Sequence, residues 1–168
     1  MKAKAIVYTS HAGHTQTYAQ MLSAELGIPS YPLDSCTIKE KTEIVFLCWL
    51  RAGVPVGLEK ARRRYTITAF GIVGMSAGGA SQLNEVKGKY KIGNDIFSFY
   101  LPGGFELSKT HGINHFMMRI MGALMGKKLK NKEDKTPSDL ETLEMITVGK
   151  SLVGQENIIQ VAESIKAN

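Results

Sequence analysis

The sequence predicts a doubly wound α/β domain built on a five-stranded parallel sheet. Five apolar runs recur along the chain. They are near-continuous rather than alternating, as strands covered on both faces are. Helix-like segments fall between and after them, and strand alternating with helix is the pattern of a parallel sheet wrapped on both sides.

Ala3–Thr9 (AKAIVYT) reads as the first buried strand. The helix after it, Thr15–Leu26, carries Tyr18, Ala19, Leu22 and Leu26 at helical spacing and stops at Gly27. Gly27–Leu33 (GIPSYPL) is a short second strand, and its two prolines suit an edge. Glu43–Trp49 (EIVFLCW) is the third, followed by a short basic helix over Gly57–Arg64. Thr66–Met75 (TITAFGIVGM) and Asp95–Leu101 (DIFSFYL) complete the set. Only residues 76–93 join these last two, which a parallel crossover just accommodates, so their helix is expected to be short or irregular. Thr136, Pro137 and Asp139 form a helix start, with a hydroxyl cap, a proline in the first turn and an acid at the positive dipole end. That helix runs to about Val148. Gln155–Lys166 is a last amphipathic helix with Ile158, Ile159, Ala162 and Ile165 on one face. No repeat or low-complexity linker divides the chain, so residues 1–168 read as one domain.

Composition narrows the class. Apolar residues make up 43% of the chain, no apolar run is long enough to cross a bilayer, and the start is too quickly polar for a signal peptide. Cys36 and Cys48 are the only cysteines, so a disulfide framework is not expected and a reducing cytoplasm is the simpler setting. His111 and His115 are spaced as a helical pair but lack a third ligand nearby, and no metal site is expected.

In open α/β sheets, ligands bind beyond the carboxyl ends of the strands, where strand order reverses. Three loops therefore matter, those after Tyr8, Cys48 and Met75. The first is dense in chemistry: Thr9, Ser10, His11, Ala12, Gly13, His14 and Thr15 run straight into a helix. A helix start offers unpaired N–H groups and a positive dipole end. Hydroxyls add neutral donors, and Gly13 allows close backbone approach. With no lysine in the loop, and neither GxxxxGK[ST] nor GxGxxG present, the site suits one terminal phosphate.

Ser10-His11-Ala12-Gly13-His14-Thr15 resembles the flavodoxin phosphate loop, [ST]-x-[ST]-G-x-T, with Ala12 where the pattern has a hydroxyl. The stretch LRAGVPVGLEKARRR is similar to that after the third strand of the flavodoxin-like, menaquinone-dependent protoporphyrinogen oxidases: Leu50, Arg51 and Gly53 match, and Ala52 replaces an aromatic. GINHFMMRIMGALMGKK looks like that family's Met- and Lys-rich helix. The long insertion of those oxidases is absent, so nothing that depends on it carries over. The resemblance implies a flavodoxin-like sheet of order 2-1-3-4-5, extra C-terminal helices and an FMN cofactor. The FMN phosphate would lie on residues 10–15. Its ring would lie between Trp49, Leu50, Arg51, Ala52 and Gly53 on one side and Ser76, Ala77, Gly78 and Gly79 on the other. Trp49, the only tryptophan, either stacks on the flavin or packs in the core. Arg51 either faces the ring edge or an acidic substrate, or is simply exposed. Ser76–Gly79 either line the flavin or form a plain glycine turn. His11 and His14 flank the phosphate loop.

A flavin does its own redox chemistry, so no catalytic triad is required, and none is evident. Two functions follow from the resemblance: an FMN-dependent oxidoreductase acting on a small molecule or quinone, or a non-catalytic electron carrier. Flavodoxin carriers are generally acidic, whereas this chain carries +6 at neutral pH. Residues 107–132 hold six lysines and arginines, no acid, and interleaved methionine, leucine and phenylalanine. That composition suits either a core helix with a solvated tail or an anionic membrane surface or redox partner. Nucleic acid is not expected, because no recognised motif is present.

Overall fold

The computed structural model describes residues 2–75, 79–104 and 151–167, together with positions 123, 126, 127, 131 and 140. The parallel strands are β1 (Ala5–Tyr8), β2 (Ser30–Pro32), β3 (Glu43–Arg51), β5 (Thr66–Gly74) and β6 (Phe97–Pro102). They lie in the order β2-β1-β3-β5-β6, an α/β sheet that is parallel but for one short strand. That strand, β4 (Val54–Pro55), pairs antiparallel with the end of β3 and makes six strands where the sequence predicts five. β3 thus continues two residues beyond its predicted end at Trp49, because Arg51 pairs with Val54 across a two-residue turn.

Alternation along the strands sorts the core into two layers. Ile6, Tyr8, Val45 and Leu47 face α1 (His14–Leu26) and α4 (Glu156–Ala167), with Tyr18, Leu22, Ile158 and Ala162 packed on them. Val7, Ile44, Phe46 and Cys48 face α2 (Leu58–Arg64) and α3 (Ala80–Lys89), with Leu58, Ala61 and Val86 packed on them. Between Ile44 and Val45 the β3–β5 register slips by one residue, and the extra residue, Thr68, turns its hydroxyl to the Ile44 carbonyl at 3.2 Å.

The crossover from β5 to β6 is, of the short or irregular helix expected there, the short and regular one: α3 is a ten-residue α-helix. Val86 is its only fully buried side chain, so the apolar stripe that announces a helix is nearly missing. The helix predicted over Thr136–Val148 and the basic run over 107–132 lie, but for those isolated positions, outside the described residues. Among the described residues no helix is long and apolar enough to cross a membrane.

Candidate functional site

α1 leaves β1 toward one face of the sheet, and α2 leaves the β3–β4 hairpin toward the other. The crevice between β1 and β3 therefore opens at the carboxyl edge, where a reversal of strand order places a ligand site. At its first wall, Gly13 caps α1 in a left-handed conformation (φ +91°), and a methyl there would meet nothing within 4 Å. Ser10 bends back over the helix start, its hydroxyl accepting the Gln16 N–H at 3.3 Å. Thr15, only 2% exposed, is the second residue of α1, and His14 beside it is also buried. The His14 ring lies against Gly103, with Nδ1 3.3 Å from where a Cβ at Gly103 would sit.

Not every hydroxyl of the loop is available to a ligand. Thr9 donates to the Val56 carbonyl at 2.9 Å, and Thr17 donates to the Gly13 carbonyl at 3.1 Å. The Thr9 bond spans the crevice and fastens the first loop to the hairpin. A second contact does the same at the surface: the His11 and Trp49 rings stack with centroids 5.2 Å apart and planes 24° apart. That separation leaves no room for a third ring between them.

Trp49 is partly exposed rather than packed in the core, because β3 runs on past the end of β1 and alternation turns it to the α1 side. Leu50, one residue on, turns the other way and packs on the α2/α3 layer. Arg51, Ala52 and Gly53 form the exposed hairpin tip. Ala52 and Gly53 hold φ of +50° and +78°, the signs a type I′ turn requires. Asparagine is the favoured residue at the first of these positions, and alanine pays for its Cβ. Ala52→Asn is therefore expected to stabilise the fold by about 0.5–1 kcal/mol, read as a rise of roughly 1–4 °C in the thermal midpoint.

Of the third loop, Ser76, Ala77 and Gly78 lie outside the described residues. Gly79 is buried at the start of α3, and a methyl there would overlap the Tyr100 ring; at Gly74 it would meet the Tyr100 hydroxyl. Tyr100 thus packs on Gly74 and Gly79, and Gly57 underlies the hairpin. Neither has a local sequence signature, since each is placed by neighbours from distant segments. Burial pushes the Cys48 thiol up from its ordinary value, which keeps it protonated and excludes it as a thiolate nucleophile at neutral pH.

No protein-family model and no curated protein matches the chain. The geometry therefore carries the functional argument. Two of the predicted groups meet, the Ser10–Thr15 loop and the hairpin strand, through the stacked rings of His11 and Trp49, while Gly79 packs on Tyr100. The donor set is neutral, sits at a helix N-terminus and has open space at Gly13. That combination suits a single phosphate group better than a polyphosphate, which would call for a lysine or arginine in the loop.

Proposed function

We propose that the chain is an FMN-binding flavodoxin-like protein, and that it acts as an oxidoreductase between the flavin and a small molecule or quinone. The observation that carries this reading is the start of α1: an open, left-handed glycine between two hydroxyl residues, at the crevice where β1 and β3 part. In this reading Ser10, Thr15 and the N–H groups around Gly13 hold the phosphate. Trp49 supports the ring, with the hairpin tip and the Ser76–Gly79 loop at its edges. FMN, when bound, supplies an acceptor and donor of hydride or single electrons. The residues named here bind it, orient it and limit its exposure to water. A ring that takes the covered face of Trp49 must first move His11 aside. The +6 charge favours an oxidoreductase over a carrier of the acidic flavodoxin kind.

Thr15→Val tests the phosphate position. It removes a hydroxyl beside a doubly charged group with little change in volume. The expected cost is about 1.5–3 kcal/mol, or one to two decades in FMN affinity, measured by calorimetric titration. Riboflavin, which lacks the phosphate, should bind the variant and the parent alike. Equal FMN affinity in the two proteins would put the phosphate elsewhere.

A further inference from the structure

The positive charge of the described residues gathers at the edge of the sheet opposite the candidate site. Lys41 lies in the turn entering β3, Arg62 and Arg63 end α2 before β5, and Lys89 and Lys91 close α3 ahead of β6. Backbone and side-chain contacts draw these segments together. The Lys41 N–H donates to the Arg64 carbonyl at 2.6 Å, and the Arg62 guanidinium donates to the Lys91 carbonyl at 3.4 Å. Some of the charge is spent locally: Arg62 pairs with Glu59 at 3.4 Å, and Arg64 donates to the Leu33 and Cys36 carbonyls. Lys41, Arg63, Lys89 and Lys91 are exposed. Glu40, Glu59, Glu85 and Asp95 are exposed in the same segments and Glu43 is half-buried there, against exposed Lys39, Lys41, Arg63, Lys89 and Lys91 and half-buried Arg62, Arg64 and Lys87.

Two of these lysines hold a backbone conformation that L residues avoid, with φ +61° at Lys41 and +50° at Lys91. Lys91 closes α3 in a Schellman turn: its N–H reaches the Gly88 carbonyl at 3.4 Å, and the Ile92 N–H reaches the Lys87 carbonyl at 3.0 Å. Glycine is the usual residue there, and lysine gives up stability that glycine would keep.

The chemistry of the surface narrows the partner. Among the described residues, the exposed large apolar side chains Val54, Leu140 and Ile159 all lie outside these segments, so they supply no apolar core for a protein–protein interface here. Tyr90, partly buried, has the Lys89 ammonium over one face of its ring at 5.6 Å, which makes it a poor platform for base stacking. The cations instead spread across the entries of three neighbouring strands, β3, β5 and β6. A spread of exposed cations without an apolar centre matches a broad anionic sheet. We propose that this edge docks on an anionic lipid surface. The nine residues of β3 then hold the candidate ligand site about 30 Å away from the headgroups, open to the aqueous side.

Sedimentation of the full chain with phosphatidylcholine vesicles, with and without phosphatidylserine, tests this. The parent should bind only the anionic vesicles, and less at high salt. Each cation near such a surface contributes roughly fivefold, so changing Lys41, Arg63, Lys89 and Lys91 together to glutamine should weaken binding by two to three decades. The same change at Lys127, Lys128, Lys130 and Lys132 should leave it within a few-fold. Lys41→Gly with Lys91→Gly should keep or raise the thermal midpoint and still lower binding more than tenfold, which a purely structural role for the two lysines would not produce. A parent that ignores anionic vesicles overturns the proposal, as does a four-glutamine edge variant that binds like the parent. Loss of binding through residues 127–132 alone overturns it too, and duplex DNA preferred over vesicles at equal salt replaces the lipid with nucleic acid.

Discussion

Replacing Gly57 with alanine is expected to destabilise the protein by about 2–5 kcal/mol. Two effects add. Gly57 precedes α2 at φ +83°, a left-handed conformation that costs an L residue about 1–2 kcal/mol. A methyl there would also lie 2.6 Å from Thr9 Cγ2 and 2.8 Å from Leu33 Cδ2. Leu33 is fully buried, and Thr9 is held by its hydrogen bond to Val56, so neither yields without disturbing its neighbours. Gly53→Ala separates the terms. Its φ is +78°, but a methyl there meets nothing within 4 Å, so it should lose only the conformational part. Urea unfolding midpoints of the two variants measure the difference. Equal losses would mean that the hairpin base adjusts freely and does not fix the first loop.

The second large effect is at Tyr18, and it sets the alkaline limit of the fold. Its hydroxyl donates to the Pro102 carbonyl at 2.6 Å and accepts the Asn157 amide at 2.8 Å; Asn157 also donates to the Leu152 carbonyl at 2.9 Å. One phenol thus ties α1, the end of β6 and the approach to α4. Tyr18→Phe leaves buried partners unpaired and is expected to cost roughly 1–3 kcal/mol. Tyr65 is its internal control. The Tyr65 hydroxyl is buried beside the weakly bonding Cys36 thiol and makes no well-formed hydrogen bond among the described residues, so Tyr65→Phe should be neutral or slightly stabilising. Burial, before any other cause, pushes both phenols up to about 12. The unfolded chain therefore releases these protons near pH 10 while the folded chain still holds them. Stability is full below pH 10 and falls as pH rises from 10 through 12. The unfolding free energy, followed from pH 9 to 12, should fall less steeply in either Phe variant. An unchanged slope in both would contradict the burial argument.

The sheet was largely legible because its strands are continuous apolar runs of β-branched and aromatic residues. β1, β3, β5 and β6 fall within or close to the runs that predict them. The two α-helices with strong stripes, α1 and α4, were equally readable. What escaped the sequence is what depends on distant neighbours or on unusual local geometry. The β3–β4 hairpin lacks the Asn-Gly or Asp-Gly turn that marks a type I′ hairpin, and Ala52 takes the conformation without the usual residue. α3 buries too little to show a stripe. At the candidate site, the phosphate-type loop and Trp49 could be picked out from position alone. The stacking of His11 on Trp49, the locking of Thr9 to Val56 and the packing of Tyr100 on Gly74 and Gly79 could not. Each joins segments tens of residues apart. The convergence of the basic strand entries is of the same kind, since each segment alone reads as an ordinary solvated stretch.

Titration of the ligand-free protein with FMN, followed by the fluorescence of Trp49, tests the central claim most directly. The account predicts a saturable quench that ends at one FMN per chain, with the bound flavin retained through gel filtration. A folded protein whose fluorescence does not change and which elutes free of flavin would contradict it.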